Sequence, residues 1–131
     1  MTPPYRVLVT GSRDWSDVRA VTAALDEAYE AAPNDRMFVV VHGDCPTGAD
    51  AMARGWAASA WASSGEWGVD QDPFPAAWRL HGKQAGPIRN ARMVAAGADL
   101  CLAFVRNGSR GASHTALLAE AAGIPTRRWT A

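Results

Sequence analysis

The amino-acid sequence predicts an α/β fold in which a parallel central sheet is flanked by helices. Three observations carry this reading. Short apolar runs alternate with stretches of helical periodicity, the order that builds parallel sheets. The runs around Val7–Val9 and Phe38–Val41 are apolar on consecutive positions, as strands covered on both faces must be. Glycine-containing loops at Gly11, Gly43 and Gly108 then lead from strand to helix.

Element by element, Tyr5–Thr10 is the first strand, centred on Val7, Leu8 and Val9. Ser16 can cap a helix running to Ala31, with Val18, Val21, Leu25 and Ala28 three to four residues apart on one face. Pro33, Asn34 and Asp35 turn the chain into a second strand, Met37–His42. After the loop Gly43–Pro46, Thr47 opens a helix through Ala62, with Met52, Trp56 and Ala60 inward. A weak strand is predicted at Glu66–Val69. Asp70 to Gly86 shows no period, and a loop of that length in a compact domain is functional or mobile. Pro87 suits the first turn of a third helix ending near Ala96. A strand at Asp99–Val105, a loop at Asn107–Gly111, a helix at Ser113–Ala122 stopped by Gly123, and a last strand at Pro125–Trp129 follow. With no repeat, linker or low-complexity segment, residues 1–131 read as one domain.

Composition narrows the function classes. Of 131 residues, 27 are alanine and only 22 are Val, Ile, Leu or Phe, which predicts a tightly packed, helix-rich globule. Thirteen basic residues balance thirteen acidic ones. With no Lys/Arg cluster, nucleic-acid binding is not expected. No apolar run reaches transmembrane length, and the start MTPPYRVLV lacks the regions of a signal peptide. Cys45 and Cys101 are too few for a disulfide framework, so a reduced cytoplasmic setting is expected.

Parallel sheets bind ligands beyond the carboxyl ends of their strands, where strand order reverses. After the first strand, Gly11 permits a close backbone approach, the Ser12 hydroxyl and nearby amides can hold a phosphate, and Arg13 can clamp it. A plain turn with a solvated arginine is the alternative. After the second strand, Gly43 and Gly48 can bare the amides at a helix start beside Thr47, while Asp44 or Asp50 accepts hydrogen bonds from ribose or base. Thr47 to Asp50 also has capping-box spacing, so Asp50 can serve as a cap alone. His42 and Cys45 have a metal-like spacing without a second ligand pair, and no metal site is expected.

Further on, Lys83, Arg89, Asn90 and Arg92 lie in or near the first turns of the third helix, where cations oppose the helix dipole and a bound anion compensates. Arg89 and Asn90 are assigned to ligand, Arg92 to the surface, Met93 to the core. Gly108, Ser109, Arg110 and Gly111 form a plausible phosphate cradle ahead of the last helix, the alternative being a flexible loop with a Ser113 cap. Phe74 and Trp78 can provide a lid or aromatic wall.

In order along the chain, VTGSRDW, HGDCPTGAD, GKQAGPIRNARMV, GADLCLAF and GSRGASHTA resemble the YspA-type, cpYpsA-related branch of the SLOG superfamily, from about Tyr5 to Pro125. The resemblance implies a Rossmann-like three-layer fold and a homodimer or higher oligomer. It also implies a nucleotide-type ligand of the NAD, ADP-ribose or nucleoside monophosphate class, in a sensor or processing domain that requires no further cofactor. LOG-type phosphoribohydrolases, which cleave the N-glycosidic bond of nucleoside 5′-monophosphates, are more distantly similar. Arg89 and Met93 match their motif, and Asn90 replaces a lysine. Gly108–Gly111 matches their glycine-rich stretch, and His114 stands where their glutamate falls; Glu120 is two turns too late. An oxocarbenium-like transition state calls for an acidic group, which Arg89 cannot supply. Asp44 and Asp50 are the remaining catalytic candidates. Binding is therefore the first expectation, hydrolysis with a non-standard acid the second, and a partner-binding module with a vestigial site the third.

Overall fold

The computed structural model describes residues 2–64 and 68–131. Its centre is β1 (Tyr5–Gly11), flanked by β2 (Phe38–His42) on one side and β4 (Leu100–Val105) on the other. Outside these lie β3 (Val69–Pro73) and β5 (Thr126–Thr130), giving five parallel strands in the order β3-β2-β1-β4-β5. The predicted α/β architecture is the observed one.

Side chains alternate across the sheet. Val7, Val9, Phe38, Val40, Leu102 and Phe104 face one layer, made by α1 (Val18–Ala31) and α2 (Gly48–Ser64). Leu8, Val39, Val41 and Cys101 face the other, made by α4 (Ala85–Ala95) and α5 (Arg110–Ala121). The alanines explain themselves here. Ala49, Ala53 and Ala57 form the buried stripe of α2, and Ala112, Ala116 and Ala119 that of α5. Small side chains let these helices sit close to the strands. Met52, Trp56 and Ala60, expected inward, flank the stripe of α2 partly buried.

Several boundaries differ from expectation for local reasons. The cap of α1 is Asp17 rather than Ser16, its carboxylate accepting the Ala20 N–H at 3.1 Å. Val18 is half-exposed in the first turn, and the buried stripe is Val21, Ala24, Leu25 and Ala28. Val69 opens β3 rather than closing it; Glu66 lies outside the described residues. The aperiodic stretch from Asp70 to Gly86 holds most of β3, a single turn of helix α3 (Trp78–His81), a 3-10 turn at Gly82–Gln84 and the start of α4. Its polarity hid an edge strand, buried at Val69 and exposed at Asp70 and Pro73. Pro87 is the third residue of α4, still in the first turn, where a missing N–H costs nothing. The left-handed residues Asn107 and Gly108 make the bend before α5, which starts three residues earlier than predicted, with Ser109 rather than Ser113 in the capping position.

Where β1 ends, the chain has no room for a side chain. A methyl at Gly11 would collide with that of Ala49 and stand 2.9 Å from the Phe104 carbonyl oxygen. Gly11→Ala should therefore push α2 off the sheet and cost about 1–3 kcal/mol, as overpacked cores do. Urea denaturation checks this, and a variant as stable as the parent would refute the packing argument.

Candidate functional site

The chain leaves β1 toward the layer of α1 and leaves β4 toward the layer of α5, so the two neighbouring strands part company at their carboxyl ends. A divergence of this kind opens a crevice in such sheets. Here it is a cleft of about 760 Å³. Gly11, Ser12 and Arg13 come to it from the end of β1, and Asp50 from α2. Arg89 and Asn90 enter from α4, and Ser109, Arg110 and Gly111 from the start of α5. An adjoining compartment of about 590 Å³ takes Gly43, Asp44 and Thr47, and shares Arg13, Cys45, Trp78 and Arg89 with the first.

Within this edge, some residues build the frame. Ser12 is buried, and its N–H donates to the Phe104 carbonyl at 2.9 Å. The Ser12 hydroxyl accepts the Arg106 N–H at 2.8 Å and donates to the Arg106 carbonyl at 3.3 Å. The group expected to hold phosphate thus ties the loop after β1 to the loop after β4. Gly48 has a φ of +72°, and its bare Cα faces the Ser12–Arg13 backbone; a methyl there would stand 2.8 Å from Arg13 Cα. It seats α2 under the first loop and lines neither compartment. Gly108 and Lys83 also line neither, and Lys83 is exposed on the 3-10 turn. Asp44 turns its carboxylate to Arg54 at 3.0 Å, away from the main cleft.

Other residues form a polar inner wall. Arg89 donates through Nη1 to the carbonyls of Gly43 and Phe74 and through Nε to the Asn90 carboxamide oxygen at 2.7 Å. These bonds aim α4 at the end of β2. A methyl on Gly43 would stand 2.8 Å from Arg89 Cζ and 2.9 Å from Asp50 Oδ2, so the glycine lets cation and carboxylate converge. His42 is fully buried; its Nδ1 accepts the Asp44 N–H at 3.0 Å, and its Nε2 bonds Gln71 Oε1 at 2.9 Å. Phe74, one of the two aromatics expected at a lid, packs against the α4 and α5 layer, whereas Trp78 reaches both compartments.

Asp50 is the one acidic residue buried among the described residues. Its carboxylate accepts the Cys45 N–H at 3.4 Å, reaching further back than a capping box would. Desolvation raises its pKa, offset in part by His42, the Cys45 amide, Arg89 and the Gly43 amide. Burial also pushes the Cys101 thiol up to about 11, but Cys101 lies in the core away from the cleft.

Two cations remain without such ties. Among the described residues neither Arg13 nor Arg110 has an ion-pair or side-chain hydrogen-bond partner. Arg13 lies over the Trp78 ring at 5.4 Å. Ser109 makes no side-chain cap, so the amides of Arg110, Gly111 and Ala112 are the orphan donors of the first turn of α5. Asp14, Gly86 and Ala112 line the cleft without having been assigned to it, as do Cys45, read only for its spacing from His42, and Pro87, read only as a helix start. His114 and Met93 also reach it, Met93 as a buried floor residue.

Comparison with known proteins now bears on the same elements. A model of the YspA, cpYpsA-related SLOG family matches residues 5–81, from β1 through α3. The chain belongs to this SLOG family. The matched span contains the loops after β1 and β2, and this SLOG membership suggests a nucleotide-related function. The chain is also similar to the Gene 61 protein of Mycobacterium phage D29, 43% identical over 127 residues that cover 92% of each chain. No solved structure matches. Among the described residues no helix is long and apolar enough to cross a membrane.

The raised pKa of Asp50 sets a direction for stability. Below the ordinary value of 3.8 the carboxyl is protonated in folded and unfolded chains alike. As pH rises, the unfolded carboxyl ionises first, so stability falls until the folded carboxyl has ionised too. Asp50→Asn removes this dependence. Its stability relative to the parent should improve from pH 3.8 upward and then level off, as read by denaturation at a series of pH values. A difference independent of pH would contradict the burial argument.

Proposed function

We propose that this SLOG domain binds a nucleotide or nucleotide derivative of the NAD, ADP-ribose or nucleoside monophosphate class, with its phosphate in the cleft between β1 and β4. The observation that carries this is that two arginines with no ion pair or side-chain hydrogen bond among the described residues, Arg13 and Arg110, share one crevice with the uncapped first turn of α5. Orphan amides and the helix dipole favour an anion there. The inner wall suits the rest of a nucleotide. Asp50 accepts hydrogen bonds from ribose hydroxyls or a base amine, and Asn90 offers its amide N–H₂. Arg89, already engaged with carbonyls of the chain, serves mainly to hold that wall in place. A domain that senses or processes such a ligand needs no additional cofactor.

Calorimetry with AMP, ADP-ribose, NAD and inorganic phosphate tests the reading. Binding of one nucleotide or more is expected. Arg110→Ala should weaken it about tenfold to a hundredfold, the worth of a charge-assisted hydrogen bond. Failure of every nucleotide to bind, or an affinity indifferent to Arg110, would overturn it.

Asp50 favours a second reading, hydrolysis of the ligand's N-glycosidic bond. A buried carboxyl that keeps its proton to higher pH can act as general acid. Water forms the new bond to C1′, and the C1′–N bond breaks with its electron pair passing to the base. Asp50 protonates the base, and the surplus proton of water restores the acid. Chromatography after long incubation with AMP should then show adenine and ribose 5-phosphate, with production lost in Asp50→Asn. Their absence removes this reading and leaves binding.

A further inference from the structure

Trp78 stands at the cleft with little in the fold to hold it there. It is 48% exposed, although indole is among the costliest side chains to leave in water. The single turn that carries it, α3, has no buried residue and no side-chain cap. Among the described residues its indole N–H has no hydrogen-bond partner. One side of the ring rests near Gly86, where even a methyl would only just touch it, at 3.5 Å. Arg13 covers it at 5.4 Å, and that arginine is itself exposed. Trp78 and Arg13, like Cys45 and Arg89, line both compartments, so the pair stands where the two adjoin.

We propose that the Trp78 ring is a stacking subsite for the nucleobase of the ligand, with Arg13 holding its place until the ligand arrives. This rests on the nucleotide reading given above and adds which part of the ligand goes where. A cation over an exposed ring is held weakly because both partners stay hydrated. A flat base covers more of the indole than a guanidinium does and buries it from water. The arginine it displaces belongs to the loop after β1, beside the cleft assigned to phosphate, and gains a charge-assisted partner there. One exchange therefore supplies the base with a platform and the phosphate with a second cation.

The experiment compares AMP with ribose 5-phosphate, which has the same phosphate and sugar but no base. Both are titrated calorimetrically into the parent protein, Trp78→Ala and Trp78→Phe, with circular dichroism confirming that each variant is folded. Trp78→Ala should weaken AMP by about tenfold or more, the worth of a base stacked on an aromatic side chain, while leaving ribose 5-phosphate within about twofold. Trp78→Phe should restore most of the AMP affinity, since it keeps a ring. Arg13→Ala should weaken both ligands alike. AMP binding that ignores Trp78, or equal losses for the two ligands in Trp78→Ala, overturns the stacking subsite and leaves the cleft assignment standing. Failure of the parent protein to bind AMP, ADP-ribose and NAD alike overturns the nucleotide reading itself.

Discussion

The structure depends on a steric constraint at the end of β1. Gly11 lies against Ala49 of α2 and the Phe104 carbonyl of β4, and Gly48 lies against the backbone of Ser12 and Arg13. Two bare Cα atoms thus let a strand end, a helix start and a neighbouring strand meet at one point. Ser12 then closes the junction by binding both backbone groups of Arg106. Because β1 and β4 diverge immediately beyond this knot, its position decides where the crevice opens and how firmly its two rims are held. A second close approach, at Gly43, brings Arg89 and Asp50 together in the same way on the inner wall.

This constraint divides the polar residues of the edge into two groups. Ser12, Gly48 and Arg89 have the chemistry of ligand contacts, yet much of their capacity is spent on the chain itself. Polar groups withdrawn from water need partners; Ser12 and Arg89 found them in backbone carbonyls and amides, and Gly48 is taken up by close packing. Arg13 and Arg110 sit further out and keep their charges in reserve. Asp50 falls between, buried enough to hold its proton to higher pH yet facing the cleft. A site of this construction has a rigid back and an adaptable front.

Most of the fold was legible because its signals are local. Consecutive apolar residues at Val7–Val9 and Phe38–Val41 mark buried strands in any context, and glycines ending them mark turns. The edge strand β3 was not legible, since Asp70, Gln71 and Asp72 carry no alternation and its pairing with β2 supplies what the side chains lack. The three loops of the site were legible as glycine-rich helix starts. Which of their residues face the cleft was not. Gly48 and Gly11 look alike in sequence, and nothing local shows that the Ser12 hydroxyl bonds Arg106, 94 positions away.

By itself, then, the sequence determined the alternation of strand and helix, the layers that alanine-rich helices can make, and the edge of the sheet where polar chemistry gathers. These follow from periodicity, propensity and turn stereochemistry, which act over a few residues. Tertiary structure decided the division of labour at that edge: Ser12 for the frame, Arg13 and Arg110 for the open cleft, Trp78 for the place where the two compartments adjoin. The physical reason is that a polar side chain is available to a ligand only if nothing in its own chain satisfies it first, and those partners come from distant segments that only folding brings together.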